Sequence, residues 1–277
     1  MKKLLSRGVL IVTIICVGSV LAFSQKEKHK EKASLDCDDH WSSDKLVSHC
    51  EIKEQTLAAT NDTLDVDGRM NGGISIKGWD RNEILMRARI QTTGPSDAEA
   101  KELAGQVRIE TAGAKIFATG PENVKYHWWS VSYEIFVPHR SNLSLKSNNG
   151  GIAISDVNGR LEFTARNGGV SLRRIGGNVK GGTTNGGVAV ELSGARWEGE
   201  ALDVTTTNGG VSISVPENYS AHLETGTVNG HLSSDFPTAE GSDSHELAIN
   251  LGGGGATIRA RTTNGGVRIH RAEGSAF

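Results

Sequence analysis

The chain has 277 residues, enough for one large or two modest domains, so size alone excludes little. It carries 35 Gly against 5 Pro with no Gly-X-Y period, which excludes collagen and points to a chain built on glycine turns. Formal net charge is −2, and removing Lys2, Lys3 and Arg7 with the leader described next leaves 27 basic against 32 acidic residues, a net of −5 that argues against nucleic acid as a partner.

Residues 1–24 join those three cations to an apolar run from Val9 to Leu21 and end on Ala22-Phe23-Ser24, with small residues where a signal peptidase inspects. This predicts a cleaved secretory signal peptide, because the run falls short of the roughly 20 residues that span a bilayer. Bulky Ile15 before Cys16 argues against a lipoprotein signal, so the chain is expected not to be transmembrane after cleavage. Residues 25–36 are mostly charged or polar and read as a flexible spacer.

Cys37 and Cys50 are then the remaining cysteines of an exported chain, and a disulfide between them is the expectation. A zinc site drawn from them with His40 and His49 fits no standard ligand spacing. Residues 37–140 read as a β-rich portion with period-two runs such as Leu64-Val66, Ile74-Ile76, Ile84-Met86-Ala88-Ile90 and Val131-Tyr133-Ile135-Val137. One interruption, Ser96 to Ala104, has an N-capping Ser, early acids and good helix formers with Gly105 as a stop, and predicts a short helix against the sheet.

From 141 to 277 the sequence repeats. Asn-Gly-Gly followed by an apolar-polar-apolar triplet starts at Asn149, Asn167 and Asn185, at steps of 18 (167 − 149, 185 − 167), then at Asn208 and Asn264, with a shortened copy at Asn229 and an outlying one at Asn71. A second turn and strand lies midway through each unit, so a unit is two strands and two turns. Asn and Gly tolerate positive φ, so the six Asn of the array, Asn149, Asn167, Asn185, Asn208, Asn229 and Asn264, are expected to mark structural turns. Stacking such units about 4.8 Å apart would bury a continuous apolar column and align the Asn side chains into an amide ladder. The predicted fold is all-β: a Gly-rich β-solenoid-like stack of two-strand rungs, preceded by the β-rich portion with its helix. An antiparallel meander or sandwich with Asn-Gly hairpins is the alternative.

The Asn-Gly-Gly-Val/Ile repeats, the stretch Leu251-Gly252-Gly253-Gly254-Gly255-Ala256-Thr257-Ile258-Arg259 and the run Ser130 to Pro138 together resemble the bacterial putative-adhesin family, a β-strand-repeat family of unknown function. The resemblance covers roughly residues 50 to 271 and implies export and a β-solenoid fold. It brings no active site, so no functional residue carries over. The cysteine-bearing segment before Cys50 and the insertions after Leu192 and Leu232 depart from it.

Catalytic signatures are missing. His245-Glu246 lacks the second His of a zinc-protease helix, Gly252 to Gly255 lack the Lys of a phosphate loop, and no nucleophile elbow occurs. The expectation is a non-enzyme without cofactor or metal. Trp128 and Trp129 form the one local feature with recognition character. Arg160, Arg166, Arg173, Arg174, Arg259, Arg261, Arg268 and Arg271 give the repeats a basic cast that would suit anionic polysaccharide. The sequence thus reads as an exported cell-envelope module, adhesive or structural, placed in the periplasm, at the surface or outside the cell. Its partner would be an envelope protein or polysaccharide. A periplasmic stress-sensing module and a carbohydrate-active β-helix enzyme are the alternatives.

Overall fold

The computed structural model describes residues 35–37, 42–43, 45–237 and 245–272, which leaves the signal peptide and nearly all of the spacer outside the described residues. Chain order begins with β1 (Ser42–Ser43), β2 (Leu46–Ala58), β3 (Leu64–Asp67), β4 (Ile74–Trp79), β5 (Glu83–Gly94), helix α1 (Asp97–Gln106), β6 (Arg108–Glu110), β7 (Lys115–Thr119) and β8 (Trp128–Pro138). The repeats supply β9 (Leu143–Ser147), β10 (Ile152–Ser155), β11 (Asn158–Asn167), β12 (Val170–Arg173), β13 (Gly176–Asn185), β14 (Val188–Glu191), β15 (Ala201–Asn208) and β16 (Val211–Val215). They end with β17 (Ala221–Asn229), β18 (Leu232–Ser234), β19 (Glu246–Leu251), β20 (Thr257–Asn264) and β21 (Val267–Arg271).

Each repeat gives one strand to each of two open sheets. The first sheet runs β1-β2-β5-β8-β4-β10-β12-β14-β16-β21-β18, and the second runs β19-β17-β20-β15-β13-β11-β9-β3-β7-β6. Within the stack the pairing is parallel and in register: Ile152 sits beside Val170, Val170 beside Val188, Val188 beside Val211 and Val211 beside Val267. An antiparallel meander cannot give that register, so the solenoid is the fold. Antiparallel pairs occur at the two ends, where β5, β2 and β6 cover one end and β19 flanks β17 at the other. β18, an edge strand of three residues, offers little backbone for unwanted pairing.

Alternation fixes the core. Ile152, Ile154, Val170, Leu172, Val188 and Val190 point inward from the first sheet and Leu161, Phe163, Val179, Leu202 and Val204 from the second, all nearly or fully buried. Each such side chain contributes about 1.5–3 kcal/mol by leaving water, and no single rung can bury both its faces alone. Gly181 makes room for its neighbour, since a Cβ there would lie 2.5 Å from the Phe163 ring.

Three features differ from the sequence reading. The break at 140/141 is not structural, because β3 and β4 pair directly with β9 and β10, and the described residues on both sides of it belong to one compact unit. Leu35 and Asp36, assigned to the spacer, lie on the folded part: Leu35 is buried, and the Asp36 carbonyl accepts a 3.1 Å hydrogen bond from Arg89. Spatial order also departs from chain order. The step of 35 residues before Asn264 is no simple loop, since β20 and β21 insert between the β15/β16 rung and the earlier β17/β18 rung.

Helix α1 starts as expected, with the Ser96 hydroxyl accepting from the Glu99 N–H, and buries Ala100, Leu103 and Ala104. It continues through Gly105, with Val107 as the C-cap. Cys37 and Cys50 are joined by a disulfide, their Cα atoms 5.7 Å apart.

Candidate recognition surface

Every rung turns twice. At the corner leading from the second sheet to the first, the Asn residues form one unbroken ladder. Asn149 Nδ2 donates to Asn71 Oδ1 at 2.9 Å, Asn167 to Asn149 at 2.7 Å, Asn185 to Asn167 at 2.7 Å, Asn208 to Asn185 at 2.8 Å, Asn264 to Asn208 at 2.8 Å and Asn229 to Asn264 at 2.9 Å. Hydrogen bonds chained this way polarise one another.

The Asn-Gly-Gly tripeptides do not need left-handed backbone, contrary to the expected reason for their composition. None of the ladder Asn residues has positive φ, and of the glycines beside them only Gly265 does, at 157°. The first Gly is required by contact: a Cβ on Gly168 would lie 2.2 Å from the Gly150 carbonyl oxygen, and one on Gly186 2.3 Å from that of Gly168. The second Gly is under far less pressure, since a Cβ would meet its nearest atom at 3.1 Å on Gly151 and at 3.4 Å on Gly169.

A second ladder inside the corner was missed by the sequence reading. Two residues before Asn, the hydroxyls of Thr183, Thr206 and Thr262 donate at 2.7 Å to the first-Gly carbonyl of the neighbouring rung, and Thr227 does so at 2.8 Å. Where Ala165 lacks the hydroxyl, Ser147 donates both to Gly72 and to its own Gly150. The recurring Thr at that offset was visible in the sequence.

This corner is constant through most of the stack and then breaks. Counted between registered residues, six rungs take six steps, as in Lys146 to Ile152 (152 − 146) or Thr205 to Val211 (211 − 205). The β3/β4 rung takes seven (74 − 67), and the extra residue, Arg69, has φ 54°. The β7/β8 rung takes sixteen (133 − 117). The two lengthened corners line an open-mouthed cavity of about 550 Å³, with Met70, Asn71, Ala118, Pro121, Trp129 and Val131 among its lining residues. That volume suits a small ligand.

The longer loop is held firmly. Trp129 donates from Nε1 to the Pro121 carbonyl at 2.7 Å and from its backbone N–H to Asn123 Oδ1 at 2.8 Å. His127 Nε2 lies 3.0 Å from Glu99 on α1, and that contact holds the Glu99 carboxyl below its usual range. Trp128 and Trp129 are both half-buried, and only Trp129 lines the cavity. Of the four exposed large apolar side chains among the described residues, Met70, Val124 and Tyr126 belong to these two corners, and the fourth, Val228, lies elsewhere.

The Toastrack DUF4097 family profile matches residues 44–270. The chain belongs to that family. Toastrack folds are β-solenoid-like, and both sheets of this Toastrack chain remain open. Solved structures that it resembles include a putative cell adhesion protein from Clostridium sporogenes, at 15% identity and TM-score 0.45, covering 80% of this chain and all of that one. A putative adhesin from Bacteroides fragilis matches at 11% identity and TM-score 0.30, covering 80% and 97%. A putative lipid binding protein from Parabacteroides distasonis matches at 10% and 0.34, covering 80% and 96%. No protein of curated function matches this Toastrack chain.

The basic cast of the Toastrack repeats is largely neutralised in place. Arg174 forms a two-pronged pair with Asp156 at 2.7 and 2.8 Å, Arg160 pairs with Glu162, and Arg259 pairs with Glu224 and Asp203. Arg259 holds the Glu224 carboxyl below its usual range. Across the outer face of the second sheet, Glu162, Lys180, Asp203, Arg259 and Glu224 follow one another in register, so the charges alternate. No group of three or more His, Cys, Asp or Glu residues suited to a metal ion occurs among the described residues, and no helix there is long and apolar enough to cross a membrane.

Proposed function

We propose that this chain is an exported, non-enzymatic interaction module of the bacterial cell envelope, with the solenoid serving as a rigid stand for recognition at its lengthened corners. One observation carries the reading: three large apolar side chains, Met70, Val124 and Tyr126, are exposed on the two lengthened corners of an otherwise constant stack, and Met70 lines the cavity there. Exposed apolar clusters of this kind mark binding sites, and loops on a rigid scaffold commonly carry them. Self-paired charge on the second sheet makes that face a weaker candidate for an anionic polysaccharide than its arginine count implies. The 1–24 leader supports export, and the adhesin names of the structural neighbours agree with an adhesive role.

Protease shaving and fractionation of a C-terminally tagged chain in its own cells tests the reading. Cleavage of the tagged protein on intact cells supports adhesion to an external partner. Protection inside the envelope rules out adhesion and leaves a periplasmic interaction role. Retention in the cytoplasm overturns the proposal.

A further inference from the structure

The Asn ladder has two ends, and one of them lies at the cavity. Asn71 accepts from Asn149 through Oδ1, while the β7/β8 rung beyond it, with its sixteen-step corner, places no ladder Asn to accept from its Nδ2. Six aligned amides stand behind that group, so it is a strengthened donor in the lining of a largely apolar space. The cavity reaches inward to Val131 and Ala118, both core residues, and the Trp129 indole forms a wall fixed by its bond to Pro121. The electrostatics favour a neutral ligand. Arg69 is already engaged by Asp67 at 3.6 Å and by the Phe117 ring at 4.6 Å, and Glu122 adds a negative charge to the lining.

We infer that the corner cavity binds an acyl group in neutral amide or ester linkage, with the chain against Met70, Trp129 and Val131 and the carbonyl oxygen accepting from Asn71 Nδ2. The inference rests on the proposal that the lengthened corners are the recognition site, and it names the chemistry recognised there. An apolar space supplies most of the binding free energy, while one placed polar group fixes orientation. A free carboxylate would gain no ion pair here and would face Glu122.

The test uses purified mature chain and the Trp129 indole N–H signal in two-dimensional NMR, assigned with Trp129→Phe. The probes are octanamide, octanoate and butylbenzene, which is apolar and has no acceptor. Octanamide should produce a saturable shift and bind several-fold tighter than octanoate. Asn71→Ala should weaken octanamide about fivefold and leave butylbenzene unchanged, the size expected for one hydrogen bond. Asn71→Ser, which retains a donor, should recover part of the loss, and thermal unfolding of each variant reports whether the fold is intact. Met70→Lys should weaken octanamide and butylbenzene alike. Absence of a saturable octanamide shift, or an Asn71→Ala variant that is folded and binds octanamide as the parent does, overturns the inference. Because the titration does not depend on cellular location, its failure alongside surface exposure of the chain would remove the ligand class and leave the interaction role standing.

Discussion

The two corners of a rung solve the same problem with different chemistry. At the Asn-Gly-Gly corner the backbones of successive rungs approach so closely that a side chain on the first Gly has no room, and two hydrogen-bond ladders, Asn outside and Thr inside, hold the approach. At the opposite corner left-handed backbone does occur, in Asp156 at φ 61° and Arg174 at φ 48°, neither of them glycine, and the two are tied to each other by an ion pair. At the Asn-Gly-Gly corner glycine therefore sits where space is short, while at the opposite corner positive φ falls on Asp156 and Arg174, which the sequence did not mark. One corner is governed by packing and the other by backbone conformation, and they should respond differently to substitution.

The largest expected effect separates the two glycines of one turn. Gly168→Ala should cost about 3 kcal/mol or more, because a methyl 2.2 Å from a carbonyl oxygen forces two rungs apart, while Gly169→Ala should cost no more than about 1 kcal/mol. Urea midpoints at constant slope measure both. Equal effects would mean that conformation, not contact, selects glycine there.

Next in size is the inner ladder. Thr206→Val removes a buried donor and leaves the Gly186 carbonyl without it, so a loss of about 1–2 kcal/mol is expected in chemical unfolding. The outer ladder should respond by position. Asn185→Ala breaks two amide bonds in mid-stack and should cost about 1–2 kcal/mol, whereas Asn71→Ala breaks one bond at the end and should cost about half as much.

The smallest effect belongs to the opposite corner. Asp156→Gly relieves a left-handed residue but gives up a partly exposed ion pair, two terms of opposite sign near 1 kcal/mol or below. A net change within about 0.5 kcal/mol is expected from thermal unfolding. A large loss would show that the Asp156–Arg174 pair holds that corner as firmly as the ladders hold the other.

Much of the scaffold could be read from residue types alone, because an 18-residue period and strict alternation dictate both the rung and its buried face. Asn149, Asn167 and Asn185 announced a ladder, and Ile152, Val170 and Val188 its core column. What stayed hidden depends on three-dimensional neighbours. The insertion of β20 and β21 ahead of β17 and β18 leaves no local trace, since the Asn264 turn resembles every other one. The cavity was hidden for the opposite reason. It arises from one extra residue, Arg69, and from a loop near Trp129, and the extra residue becomes visible only when the rung registers are compared. The two tryptophans drew attention to that loop without showing that one lines a cavity and the other does not.

The most direct test of recognition at the lengthened corners is site-specific photocrosslinking in the native cells. A photoreactive amino acid would replace Tyr126 on the long corner or, as the comparison, Thr184 on the regular second-sheet face. Discrete crosslinked adducts from position 126, with none above background from position 184, are the predicted result. Adducts from position 184 alone would place the contact on the regular face of the stack and contradict the account.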